Sequence, residues 1–371
     1  MGGVKPKSLG SWLVEHPALL FVVVAALMMD VAHASEHVAF ASFAFDFDVF
    51  WNAVRRPLAE LYAPDPKAPF VYPPSSIPFF APLKYFARGG AYLAWILLSF
   101  AALAASTRKA PPQVLALMLV TPMVVRCAFL GQNTMLLGSA LIVAAMRGGV
   151  AGGLLLGTVA CIKPQLVLMA PLVLLVRRDW RGLGGASAAA AFWLSASLLI
   201  YGLQPWKDWV GAFPSFHQVL VDRDLLWIIV SPAGTAERFG LPPVPFLLLG
   251  IAIAVLAVVR AAPKVQGFEL AALSVMASVL AAPYATLQDL LAALPFLALA
   301  LSNRRMDVIA VAAALILVTA FVLPGMLILM LAWISPQLIH KRKRPGHSAR
   351  ASLRDDRSSA PLEVQKAPRA P

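Results

Sequence analysis

Asp46 and Asp48 stand two residues apart in Asp46-Phe47-Asp48-Val49-Phe50-Trp51-Asn52-Ala53-Val54-Arg55-Arg56, just after the first long apolar run. Carboxylates so close to apolar sequence are costly, so they are read first as functional. Residues two apart share a face only on an extended backbone; on a helix they point apart, and one of them faces a common site. A second reading stays open, in which either aspartate caps a short surface helix that runs through Arg56 and is limited by Pro57. Lys163, in Ile162-Lys163-Pro164-Gln165, interrupts an apolar run and needs a partner or a watery cavity. An anionic phosphate is its natural ligand, and a salt bridge with one of the two aspartates is the structural alternative.

Gln132 and Asn133 follow Arg126 at the start of another apolar segment. Their amides suit sugar hydroxyls, and Asn133 equally suits a helix cap. Pro283-Tyr284-Ala285-Thr286-Leu287-Gln288-Asp289 breaks one helix and starts the next, where Asp289 fits the positive end of a helix dipole. A later loop carries Trp206, Trp209, His217, Asp222, Arg223, Asp224 and Trp227. Its aromatics serve equally as a membrane-interface belt or as sugar platforms.

The elements that position these residues are membrane helices. The chain has 371 residues, 60% of them hydrophobic and only 13% charged, with mean hydropathy +0.77. A soluble protein carries about twice that charge. The expected class is an all-α polytopic membrane protein. Apolar segments are expected at 13–32, 91–106, 111–126, 131–146, 148–162, 164–176, 183–203, 244–260, 268–282, 287–301, 306–322 and 324–339, about twelve transmembrane or re-entrant helices. The net charge of +13 sits in short loops and in the tail, which marks topology and excludes nucleic-acid binding as its purpose. The two cysteines, Cys127 and Cys161, have no metal-type spacing, and no zinc or nucleotide motif occurs. No cofactor or metal is expected.

The first apolar run is read as a retained helix. Residues 34–90 form a first outer loop with interfacial helices, one over about 49–61 and a proline-broken one over about 75–86. Residues 204–243 form a second outer loop. The segment 148–176 reads as a hairpin with Lys163-Pro164 at its tip, or as one span. The hairpin fits the positive-inside rule better, because it keeps Arg147, Arg177, Arg178 and Arg181 on one side. Together these make a membrane domain over 1–339, followed by a basic, disordered cytoplasmic tail over 340–371. Both termini are then cytoplasmic.

Asp46-Phe47-x-x-Phe50-Trp51-x-Ala53, Leu61-Tyr62, Phe70-x-Tyr72-Pro73-Pro74, Gly131-Gln132-Asn133, Lys163-Pro164-Gln165 and Pro283-Tyr284, in that order, resemble glycosyltransferase family 87. The resemblance covers roughly residues 40–300. It implies a GT-C bundle and transfer of a hexose, such as mannose, from a polyprenyl-phosphate donor to a lipid or glycan acceptor. The transfer inverts the anomeric centre and takes place at the outer face of a bacterial cytoplasmic membrane. It implies an aspartate general base, Asp46 first and Asp48 second. The substrate-binding candidates are Arg56, Tyr72, Arg126, Gln132, Asn133, Lys163, Tyr284 and Asp289. Tyr284 with Gln288-Asp289 departs from the His-Tyr pair that some members carry there. A transporter or lipid flippase is the alternative, though the chain lacks the internal repeats usual in transporters.

Overall fold

A computed structural model of the chain describes residues 44–63, 69–119, 121–222, 225–303, 308–317 and 321–335. The apolar run at 13–32 and the basic tail lie outside the described residues, as do Arg223 and Asp224. Among the described residues the protein is helical, with one isolated antiparallel bridge between Ile229 and Thr286.

Three apolar helices are long enough to cross a membrane: Arg88–Thr107, Trp180–Tyr201 and Pro243–Ala261, with 20, 22 and 19 residues. At about 1.5 Å per residue each matches a hydrocarbon core of about 30 Å. Their outward faces carry Leu97, Phe192, Leu199, Ile200 and Leu248, all well exposed. In a membrane protein such faces meet lipid. The other apolar segments are shorter or broken, and proline does most of the breaking. The stretch expected as one segment at 111–126 divides at Thr121-Pro122 into Pro112–Leu119 and Pro122–Leu130. The one expected at 164–176 begins as a 3-10 turn, Pro164–Leu166, and is α-helical only over Ala170–Val176. The one expected at 287–301 begins as the 3-10 helix Leu287–Ala293 before Leu294–Asn303.

The choice between hairpin and single span over 148–176 is settled by Asp179. Its carboxylate caps Trp180–Tyr201 by accepting from Gly182 N at 2.8 Å, and it also accepts from Gly149 N at 2.9 Å. The starts of Gly149–Ile162 and Trp180–Tyr201 are therefore side by side. The two helices run parallel from there, and the chain must reverse at Lys163-Pro164 to return. Close contact comes from small residues: a Cβ on Gly153 would fall 2.0 Å from Gly182 O, and one on Gly157 2.2 Å from Ala186 O. Such stripes let membrane helices approach at the backbone. Arg177 donates to the carbonyls of Ala262 and Val265 at 2.5 and 2.8 Å. The loop after Pro243–Ala261 thus joins Arg147 and Arg177 at the same end of the bundle.

At the opposite end the loop that carries Asp46 and Asp48 packs as an aromatic cluster. The helix expected over 49–61 is instead Phe45–Ala53, and a separate 3-10 turn, Leu58–Glu60, follows Pro57. Phe50 and Phe80 stack at 4.4 Å, and Tyr72 and Trp95 close around them at 5.2 and 5.9 Å from Phe50. Phe47 packs on Tyr92 and Trp95 at 5.3 and 6.4 Å. Burying such rings contributes about 1.5–3 kcal/mol each, which fixes a short helix that could not stand alone. The proline-rich part is broken as its prolines require, into Pro74–Ser76, Ile77–Phe80 and Ala81–Tyr85.

Candidate active site

The Phe45–Ala53 helix starts at Ala44, whose φ is 58°, and no side chain caps it. The capping role open to Asp46 or Asp48 is therefore not taken by either. Both sit in the first turn, where the helix dipole favours negative charge. At about 100° per residue they diverge by about 200°. Asp48 points outward to a bidentate pair with Arg88, at 2.6 and 2.7 Å, both side chains partly exposed. Asp46 points inward and accepts from Gln132 Nε2 at 2.7 Å.

Gln132 is placed by a glycine turn. Pro122–Leu130 ends at Gly131, in the left-handed region at φ 71°, with Gly131 N bonded to Ala128 O and Gln132 N to Cys127 O. This is a Schellman-type end, which glycine adopts without strain. Trp95 Nε1 holds Gly131 O at 3.0 Å, and Tyr92 holds Ala128 O at 2.8 Å. Ala44 N donates to Phe129 O at 2.9 Å, so the first-loop helix is fastened to the same turn. A Cβ on Gly131 would lie 2.5 Å from Phe47 Cβ, so the helix sits directly on the glycine.

Behind Asp46 lies a buried polar layer. Pro164 biases Lys163 away from the α region, and its backbone at φ −144°, ψ 77° ends the preceding helix. The Lys163 ammonium lies 2.5 Å from Asp289 Oδ1 and donates to Thr134 Oγ1 at 3.2 Å. The sequence alternative paired Lys163 with Asp46 or Asp48; its partner is Asp289. Asp289 also accepts from Thr286 N at 2.9 Å, capping the 3-10 helix Leu287–Ala293. Asn133 stands at the N-cap of Thr134–Arg147 but does not cap it with its side chain. It is fully buried beside Tyr72. Burial holds the Tyr72 hydroxyl protonated, above its usual range, against the opposing pull of Lys163.

Asp46 is enclosed by protein yet keeps some solvent-reachable surface, as does Gln132. Desolvation raises its carboxyl from 3.8 to about 6; Lys163, the Gln132 hydrogen bond and Arg126 oppose that rise, and Asp289 adds to it. A carboxyl so poised is ionised at neutral pH and still basic enough to take a proton.

The loop over residues 204–243 covers this end. Arg126 lies over the Trp227 ring at 5.2 Å. Val230 N bonds to Ala285 O and Ser231 Oγ to Pro283 O, at 2.8 and 2.9 Å. Tyr284 hydroxyl meets His217 Nδ1 at 2.7 Å, and His217 Nε2 meets Glu237 at 3.0 Å. Trp209 reaches the first loop at Val71 O, 3.1 Å. The structure thus gathers Asp46, Tyr72, Arg126, Gln132, Asn133, Lys163 and Asp289. It puts Tyr284 at the loop junction, Arg56 in the turn after the first-loop helix, and Asp48 outside. Thr134 and Glu237 were missed from sequence. Thr134 adjoins the amide pair that drew notice, whereas nothing around Glu237 marks it.

An apolar helical bundle with an inward carboxylate, a buried lysine and amides at one end is the outline of an enzyme working at a membrane surface. The model of glycosyltransferase family 87 matches residues 70–288, more than half of the sequence. The chain belongs to that family and is a membrane glycosyltransferase. No curated protein and no solved structure matches it. The match includes Tyr72, Arg126, Gln132, Asn133, Lys163 and Tyr284. Asp46, Asp48 and Arg56 precede it, and Asp289 lies one residue beyond.

Proposed function

We propose that this enzyme transfers a hexose, mannose as the first choice, from a polyprenyl-phosphate donor to a lipid or glycan acceptor, with inversion. The work is placed at the outer face of the cytoplasmic membrane, with 34–90 and 204–243 as outer loops and both termini inside. Asp46 is the general base. The acceptor oxygen attacks the anomeric carbon, the bond from that carbon to the phosphate oxygen breaks, and the acceptor proton passes to Asp46. The lipid phosphate leaves with the bonding pair, and positive charge near it lowers the barrier. Arg126 supplies that charge from beside Trp227, with Lys163 behind it. Gln132 aligns the base. Asn133 and Tyr72 line the buried side for sugar hydroxyls, and Tyr284 and Arg56 serve the outer approach.

The observation that carries this reading is the contrast between the two aspartates. Asp46 faces inward to Gln132 and is raised to about 6, whereas Asp48 is turned to Arg88. Transfer from synthetic short-chain polyprenyl-phosphate sugars tests it, using purified protein beside Asp46→Asn and Asp48→Asn. Product lost only with Asp46→Asn is the expected result. Equal turnover by Asp46→Asn would remove the base assignment, and failure of every phosphate-linked donor would remove the donor class.

A further inference from the structure

The pair of Lys163 and Asp289 is the most buried charge arrangement among the described residues, at 8% and 1% side-chain exposure. The mechanism above gives Asp289 no task. Two carboxylates, Asp46 and Asp289, act on the same ammonium, and Lys163 is the foremost charge acting on Asp46. The contact itself goes to Asp289, with Thr134 as second partner. Asp46 receives instead a neutral donor, Gln132 Nε2.

The sequence makes this division firm. Asp289 is fixed by the Thr286 backbone bond at the start of its 3-10 helix, where its charge suits the free N–H groups. Lys163 is fixed by the irregular backbone that Pro164 helps to impose. An aspartate in contact with a cation is a poor proton acceptor, because the cation stabilises the charged form. Without the cation the Asp289 charge would instead push Asp46 toward its protonated form. The observed arrangement avoids both states.

We propose that Asp289 is a positioning residue that holds Lys163 on itself and off Asp46, so that Asp46 stays free to accept the acceptor proton. The proposal rests on Asp46 as the base. It makes two opposite predictions. Without the Asp289 charge, Lys163 turns its full attraction on Asp46, which becomes a weaker base. Without Lys163, Asp46 faces an uncompensated carboxylate and holds its proton to higher pH.

A hydrophobic carbodiimide, which modifies protonated carboxyls, reads this directly by mass spectrometry of the Asp46 peptide across pH, with no substrate needed. In full-length protein, Asp289→Asn should lower the labelling midpoint by at least half a pH unit. Lys163→Met should raise it by at least as much, and the double variant should fall between them. Asp289→Glu should restore the wild-type midpoint. If Asp289→Asn does not fold, Thr134→Val takes its place, since it loosens Lys163 on the Asp289 side and should lower the midpoint by a smaller amount. A midpoint that is unmoved or raised in the variant that folds, or that shifts the same way in both single variants, overturns the proposal. Turnover by Asp46→Asn is measured in parallel. If that variant remains active, the base reading fails whatever the midpoints show. If it is dead while the midpoints stay still, only the present inference fails.

Discussion

Replacing Asp46 by Asn should abolish transfer and at the same time make the protein more stable. Burial holds the Asp46 carboxyl at about 6, against 3.8 for an ordinary aspartate, even with Lys163, Gln132 and Arg126 drawing it down. Each pH unit of that difference is worth about 1.4 kcal/mol, so keeping Asp46 ionised at pH 7 costs the folded state about 3 kcal/mol. The amide of Asn has nearly the same shape, can still accept from Gln132, and carries no charge to desolvate. Loss of a general base costs about 10²- to 10⁴-fold in rate. Because the folded value is raised, the stabilising contribution of the protonated form is complete below 3.8 and is lost as pH rises through about 6. The stability gap between Asn variant and wild type should therefore be widest above about pH 6 and close toward 3.8. The assay is thermal unfolding in detergent from pH 4 to pH 8, beside single-turnover transfer. An inactive variant whose melting temperature falls would make Asp46 a structural residue. A variant within about tenfold of wild-type turnover would refute the base.

The remaining predictions use the same two readouts. Wild-type kcat/KM should fall about tenfold per pH unit below about pH 6, because the base must be ionised; a flat acid limb would contradict this. Asp48→Asn loses only a partly exposed pair with Arg88, so stability should change by about 1 kcal/mol or less and turnover should hold. Gly131→Ala puts a methyl 2.5 Å from Phe47 Cβ on a backbone at φ +71°. It should lower the melting temperature and kcat together, as the first-loop helix shifts off its seat. Tyr284→Phe removes the hydroxyl that joins the second loop to the 283–286 break through His217. It should raise the acceptor KM at least threefold and leave the donor KM unchanged, as read by initial rates.

Much of the framework is local and was legible. Membrane helices announce themselves through runs of apolar residues, and 91–106, 183–203 and 244–260 are realised as Arg88–Thr107, Trp180–Tyr201 and Pro243–Ala261. Proline breaks are equally local: Pro164 and Pro283 stand at breaks read from sequence, whereas Pro122 divides a segment read there as continuous. The helix over 49–61 failed for the opposite reason. Its apolar spacing fitted a helix through Pro57, but a proline ring is not accommodated there. The aromatic contacts of Phe47 and Phe50 instead seat the helix four residues earlier.

By itself the sequence determined the class of this protein, the breaks at Pro164 and Pro283 and the family motifs, because hydropathy, proline geometry and residue order act over a few neighbours. Tertiary structure alone decided which aspartate faces inward, since that depends on Gly131 meeting Phe47 and on Arg88 lying outside. It alone decided that Gly149 and Asp179 meet, so that the chain turns back at Lys163. It alone gave Lys163 to Asp289, a partner 126 residues away (289 − 163). A buried charge must be paired, and physical chemistry demands that much of any sequence. Which partner it takes depends on the packing of the chain around it.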